Sequence, residues 1–323
     1  MEAVAQAAGL DLYRAAFDRL EEERRGEAPW LRKLRNEAME RFLDLGFPTT
    51  KVEAWKYTNL RPIAEAVWTP ACSAPIQPQI AVELASARIP GAIEIVFVNG
   101  QFAPELSSLG GLEQGVRVTS LRETLSRRSE ELESVVGRVC SIEHGPLAAL
   151  NTAFFQDGLC LELDPGTAAS SPIHCLFVSA DGDVLTLTSP RLLILAGRQS
   201  QATVVETYVG RPGVVGWTNA VTEISIGDAA VLEHYKIQQE SVNGYHVGAL
   251  AVRQNRASSF TSHHVALGAA LARTDIDVLF AAEGSDCTLN GLFVGSGTQH
   301  LDTHTVIDHA QPHCTSRELY KGV

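Results

Sequence analysis

The sequence predicts a mainly β protein: a single-stranded parallel β-helix, wound as a solenoid of about 28 residues per coil, behind a small helical and α+β N-terminal region. From about residue 155 the chain breaks into short β-branched runs punctuated by Gly, Asp and Asn. Ile194, Ile224, Val252, Phe280 and Ile307 follow one another at steps of 30, 28, 28 and 27 residues, and Val204, Leu232, Phe260 and Leu289 at 28, 28 and 29. Two apolar series locked to one period indicate coils whose strands pair with the coil above and the coil below. Helical repeats of similar length would carry a 3.6-residue pattern. Here the pattern alternates instead: in Thr274-Asp275-Ile276-Asp277-Val278 a period of two turns Ile276 and Val278 inward and both aspartates outward.

Residues 1–68 read as helices. Leu10, Tyr13, Phe17 and Leu20 are spaced by threes and fours, and so are Leu34, Ala38, Phe42 and Leu45. Gly26 follows Arg24-Arg25, and Gly46 precedes Phe47-Pro48, where a helix terminus favours a left-handed residue and then proline. Residues 69–154 begin as a linker, with Pro70, Pro75, Pro78 and Pro90 in a stretch of little periodicity. The apolar run from Ile93 through Asn99-Gly100 to Phe102 predicts a hairpin. Ser120-Leu121-Arg122-Glu123 has capping-box spacing for a helix running through Leu125, Leu132 and Val136.

Residues 155–323 form the β-helix core, expected to be incomplete at its C-terminal end. The sequence stops at Glu318-Leu319-Tyr320-Lys321-Gly322-Val323, within what reads as a coil, and an uncovered coil exposes apolar interior and unpaired backbone. We therefore expect the natural protein to continue; a stop codon directly after Val323 in a functional locus would overturn that expectation.

Composition narrows the function. At 45% hydrophobic content the disordered and collagen-like classes drop out. The start Met1-Glu2-Ala3-Val4 offers no basic segment ahead of an apolar one, and nowhere do about 18 apolar residues run together, so a cytoplasmic protein without a membrane partner is expected. Twenty-six basic against 38 acidic residues give a formal charge of −12, which repels a nucleic-acid backbone. Glu21-Glu22-Glu23-Arg24-Arg25 and Arg127-Arg128 read as solvated helix faces. Six cysteines at 72, 140, 160, 175, 287 and 314 form no C-x-x-C, and without an export signal they read as reduced thiols.

Motifs for chemistry are sparse. The sequence has no phosphate-binding G-x-x-x-x-G-K-[ST] loop and no G-x-S-x-G elbow, and Gly295-Ser296-Gly297 lacks the remainder of a dinucleotide fingerprint. Histidine is the anomaly, with eight of ten lying between His234 and the end. His304, His309 and His313 are weak candidates for metal or partner contact, since their spacing matches no specific metal motif and structural roles in turns are the preferred reading. Cys287 and Cys314, 27 residues apart, fall on adjacent coils, but Cys287 shares parity with inward Leu289 and reads as a small buried hydrophobe. Asp275 and Asp277 read as a solvated pair, and Trp55, Tyr57 and Leu60 as an aromatic cluster packing the helical region or serving as a docking surface.

At this point the chain resembles the SufD group of iron–sulfur cluster assembly proteins. The resemblance begins with Gly46-Phe47-Pro48-Thr49-Thr50-Lys51-Val52-Glu53-Ala54-Trp55-Lys56-Tyr57-Thr58, which is similar to SufD rather than to its sister SufB. It continues through Thr218-Asn219-Ala220-Val221-Thr222-Glu223, Leu232-Glu233-His234-Tyr235-Lys236, Phe260-Thr261-Ser262-His263 and the stretches from Asp302 to His309 and Pro312 to Gly322. It implies a scaffold without catalytic residues, partnered by SufB and the ATPase SufC. A transient iron–sulfur cluster would form in the complex, with no cofactor held stably by this chain. The Cys-x-His-Gly stretch that carries the group's best-supported histidine, and the closing helical segment on which SufC docks, do not occur in these residues, so no site residue is carried over. The competing readings are a histidine-rich metal-binding protein acting alone and, from another class, a polysaccharide-active β-helix enzyme, which would require export.

Overall fold

A computed structural model describes residues 2–71, 80–180 and 184–323. Six α-helices are α1 (Glu2–Glu23), α2 (Pro29–Leu45), α3 (Arg61–Ala64), α4 (Ile80–Ala85), α5 (Leu121–Leu132) and α6 (Pro146–Phe154). The strands begin with β1 (Thr69–Pro70), β2 (Ile93–Val98), β3 (Gln101–Phe102), β4 (Val116–Ser120), β5 (Leu159–Leu163), β6 (Ile173–Ser179) and β7 (Thr186–Thr188). They continue with β8 (Arg191–Ala196), β9 (Gln201–Gly210), β10 (Gly216–Ile226), β11 (Val231–Gln239) and β12 (Tyr245–Gln254). The last five are β13 (Ser259–Ala266), β14 (Leu271–Phe280), β15 (Asp286–Phe293), β16 (His300–Asp308) and β17 (Thr315–Gly322).

Two sheets face each other as the walls of a flattened parallel β-helix. One runs β16-β14-β12-β10-β8-β5-β4 and the other β17-β15-β13-β11-β9-β6-β2-β3, so consecutive pairs from β5–β6 to β16–β17 make six coils. All pairs between coils are parallel; β4 on β5 and β3 on β2 are antiparallel and lie at the lower end. Between the sheets Ile194, Ile224, Val252, Val278, Leu232 and Phe260 join one continuous apolar core. Each such side chain contributes roughly 1.5–3 kcal/mol when fully buried, so a coil is stable chiefly through its neighbours.

The predicted solenoid is present, but its ladders are offset at three of the predicted positions. Ile194, Ile224, Val252, Val278 and Ile307 stack, at steps of 30, 28, 26 and 29 residues, and Phe280 lies over Gln254 instead. On the facing sheet Ala202, Leu232, Phe260 and Cys287 stack, whereas Val204 underlies His234 and Leu289 lies over Ser262. Coils differ in length at their corners, and a shift of two residues keeps a side chain on the same face of the pleat. An apolar pattern therefore reports the face without fixing the rung. Cys287 stacks under Ser316, and Cys314 lies in the turn before β17, so the two thiols do not superpose.

The helical region packs on the outer face of the first sheet. Trp217, on β10, is buried there against Phe47 and Trp68, at centroid distances of 5.9 and 5.7 Å. Gly46 ends α2 at a φ of 62°, and its N–H reaches the Phe42 carbonyl. Helix α1 already ends at Glu23, and Gly26 keeps a negative φ. The hairpin is present, with Asn99 and Gly100 at φ 48° and 76° turning β2 into β3. Unforeseen from sequence, β2 also pairs in parallel with β6. Ser120 caps α5 by accepting from the Glu123 N–H at 3.2 Å, but the helix stops at Leu132, four residues before buried Val136. Part of the proline-rich stretch is ordered as β1 and α4; Cys72, Pro75 and Pro78 lie outside the described residues. Among the described residues no helix is long and apolar enough to cross a membrane.

Candidate functional site in the interior of the β-helix

The pleat that sends Leu232 inward also sends His234, Lys236 and Gln238 inward, two residues apart along β11. Part of the interior is therefore ionic. Glu206, fully buried, accepts hydrogen bonds from Thr222 Oγ1 at 2.7 Å, Tyr208 Oη at 2.8 Å and His234 Nε2 at 2.9 Å. Lys236 Nζ lies 3.6 Å from the same carboxylate and 4.2 Å from the centre of the Tyr208 ring. Glu240 accepts from His246 Nδ1 at 2.7 Å, Gln238 Nε2 at 3.1 Å and the Thr218 hydroxyl. Ser262 completes His234 at 3.1 Å, and His264 makes only long contacts, 3.5 Å each, with Thr274 and Thr303. Gly248 belongs to this arrangement by being small: a Cβ there would sit 3.2 Å from His246 Nε2 and 3.3 Å from Lys236 Nζ.

Burial works against charge throughout this cluster. It would raise the Glu206 carboxyl, but Lys236, His234 and Thr222 together hold it well below the usual range; Glu240 is likewise held low by His246 and its hydrogen bonds. Burial lowers the Lys236 ammonium against the pull of both carboxylates. It lowers His246, and pushes His264 down to about 3 with help from neighbouring Lys236, His246 and His234. All these groups are shut from solvent, so the array offers an outside substrate no access.

A pH dependence follows with a definite sign. His264 titrates at 6.5 when unperturbed and near 3 in the fold, so on acidification the unfolded chain takes the proton first. Its contribution is intact above the unfolded value and is lost as pH falls from there towards 3, at up to about 1.4 kcal/mol per pH unit. Glu206 and Glu240, held low, add their own loss only below the unfolded carboxylate range near ~4.3. Urea unfolding of the wild type should therefore weaken between pH 7 and about 5, and His264→Gln should flatten that limb. Parallel profiles for the two proteins would show that His264 is not responsible.

Two clasps tie the helical region to the outer face. Glu223, also fully buried, receives Arg191 at 2.7 Å and the backbone N–H groups of Gly137, Val139 and Cys140 at 3.0–3.1 Å. Arg191 then reaches Asn151 Oδ1, Thr152 Oγ1 and the Cys140 carbonyl at 2.9–3.1 Å, and Asn219 donates to the Leu147 carbonyl. Higher up, Arg273 lies 3.9 Å over the Trp55 ring and pairs with Asp275 and Asp302, 2.7 Å from each. Thr58 hydrogen-bonds His300 at 3.0 Å and Asp302 as well. Asp275 and Asp277 do point outward, but they are not a solvated pair: Trp55 and His144 help cover them, and burial raises both carboxyls. Arg24 also leaves its predicted solvated face, donating to the carbonyls of Ala153, Phe154 and Phe155 at the end of α6. The aromatic cluster divides, with Trp55 and Leu60 buried and Tyr57 82% exposed.

The histidines singled out by sequence are not brought together. His304 is exposed on the outer face beside Asp275, whereas His309 folds over the edge, 4.7 Å from the Phe280 ring, and bonds Ser316 at 3.0 Å. His313 occupies a turn at φ 61°. Among the described residues no three or more His, Cys, Asp or Glu side chains are arranged to hold a metal ion. Sequence reasoning missed Glu206, Lys236, Glu240 and His246. The usable signal was parity: His234 and Lys236 alternate in phase with Leu232.

The architecture is that of the parallel β-solenoid proteins, with a sealed ionic interior and a helical layer clasped to one wall. Residues 5–175 match the family described as SufBD protein N-terminal region, and residues 177–323 match the SUF system FeS cluster assembly, SufBD core domain. The chain belongs to the SufBD family. It is 27% identical over 292 residues to an iron–sulfur cluster assembly SufBD family protein of Synechocystis, which covers 86% of this chain and 63% of that protein. It is 23% identical over 288 residues to the iron–sulfur cluster assembly protein SufD of Escherichia coli, covering 88% and 64%. A chloroplastic protein of Arabidopsis thaliana is 24% identical over 303 residues, covering 91% and 62%. The chain thus spans less than two thirds of the length of these relatives.

Proposed function

We propose that this chain acts as a non-catalytic, cytoplasmic scaffold subunit of an iron–sulfur cluster assembly complex, beside SufB and with ATP hydrolysis left to SufC. It supports cluster formation and iron entry; iron and sulfide are cargo, and no cofactor is resident on this chain. The observation that carries the reading is where the family-like stretches sit. Thr218 and Thr222 face the interior array while Asn219 and Glu223 face the clasp. His234 and Lys236 belong to the array, and Trp55, Thr58 and Asp302 to the second clasp. Those residues hold a rigid body together, as a platform for partners requires.

Co-expression with SufB and SufC tests the proposal. SufB should co-purify with the chain, and the isolated chain, purified untagged under anaerobic conditions, should carry no stoichiometric metal. Failure to retain SufB by a chain that is folded by near-ultraviolet circular dichroism would defeat the scaffold reading. One equivalent of iron or zinc on the isolated chain would favour a metal-binding protein acting alone.

A further inference from the structure

A cleft of about 900 Å³, partly open to solvent, lies away from the ionic interior, between α1, α2 and α5. Its size is that of a nucleotide-sized ligand site, for which a few hundred to about 1,000 Å³ is usual. The charged residues lining it are Arg19, Arg24, Arg35 and Arg122 against Glu23 and Glu27, an excess of two positive charges in a chain whose net charge is −12. These cations fall into two kinds. Arg24 and Arg35 are committed: they cap carbonyls at the end of α6, and Arg35 pairs with Glu27 at 2.9 Å. Arg19 and Arg122 are exposed. Arg122 uses only its Nε, on the Gln156 carbonyl at 3.3 Å, and Arg19 has no polar partner among the described residues.

The committed pair makes the field and the exposed pair leaves guanidinium forks unspent. Burial, with a smaller contribution from the nearby charges of Arg35 and Arg122, lowers Arg24 to about 9 against the pull of Glu27. The rest of the lining is suited to an organic body: Leu20, Leu31 and Leu125 give apolar surface, and Ser126 and Ser129 give hydroxyls.

We propose that this cleft binds a phosphate-bearing organic anion, its phosphate taken by Arg19 and Arg122 and its body laid against the leucines. A phosphate monoester carries about −1.5 to −2 charges at neutral pH, which matches the excess in the lining, and the arginine fork suits its oxygens. The inference is independent of the scaffold reading, since neither clasp nor ionic array contributes to the lining.

The test uses the full chain, with AMP, inorganic phosphate and uncharged adenosine as probes. Trp30 is a natural reporter because its indole Nε1 donates to Ser129 of the lining at 3.0 Å. AMP should saturate Trp fluorescence and calorimetric signals at one site per chain, inorganic phosphate should compete, and adenosine should bind at least roughly tenfold more weakly, the equivalent of one charged hydrogen bond. Arg19→Gln combined with Arg122→Gln should cost AMP roughly tenfold or more. Arg127→Gln, on an exposed residue of α5 paired with Glu123, should leave binding unchanged. Both lining variants alter exposed side chains, and a matching unfolding midpoint would establish that they fold. No saturable binding of AMP or phosphate, adenosine binding as tightly as AMP, or undiminished binding to the double variant would each overturn the proposal.

Discussion

Glu223→Ala is expected to destabilise the chain by about 3–5 kcal/mol, the usual cost of stranding one member of a buried ion pair. Arg191, 1% exposed, would lose its counter-charge, and three backbone N–H groups between Gly137 and Cys140 would lose their shared acceptor. Water cannot readily replace the carboxylate, because Asn151, Thr152 and the Cys140 carbonyl enclose the remaining guanidinium nitrogens. The lesion is also positional. Residues 137–140 and α6 join the helical layer to β8 and β10, so the variant should admit protease there before the coils above are cut. Urea unfolding gives the magnitude and limited proteolysis the place. A cost below about 1 kcal/mol would mean that the clasp is ornamental and that apolar contacts around Trp217 hold the layers alone.

Lys236→Met should be comparably damaging, and its rescue is the more informative result. Without the ammonium, Glu206 keeps His234, Thr222 and Tyr208, but the interior holds two buried carboxylates and no fixed cation among this group. A loss of about 3–5 kcal/mol is expected, with a steeper dependence on pH because one carboxylate must take up a proton to remain inside. Adding Glu206→Gln should recover most of that loss, since removing both partners of a buried pair is often close to neutral. If the double variant were as unstable as the sum of the single ones, Lys236 would act through its packing against Tyr208 and Gly248 rather than through charge.

The solenoid and its period were legible because one structural rule, strands stacking on strands, repeats often enough to leave a signal in Ile194, Ile224 and Val252. The exact rungs were not, because the corners absorb residues and Phe280 occupies the same face as Val278. The ionic interior was hidden for a related reason. A histidine or lysine in phase with leucines looks like an interruption of the apolar pattern until Glu206, on a strand 30 residues earlier, is placed beneath Lys236. The clasps depend on contacts between segments far apart in sequence, such as Cys140 with Glu223, and no local pattern records those. Asp275 and Asp277 show the same effect: alternation gave their direction correctly, while Trp55, more than 200 residues away, decided that they would be covered.

The lower end of the solenoid is finished differently from its flanks. There the two walls terminate in β3, two residues long, and β4, five residues long, both running against the direction of every coil above them. A stray strand seeking the parallel template of the coils finds only a short, reversed border at that end. The rod therefore has a polarity, because its foot offers no parallel border for another chain to extend.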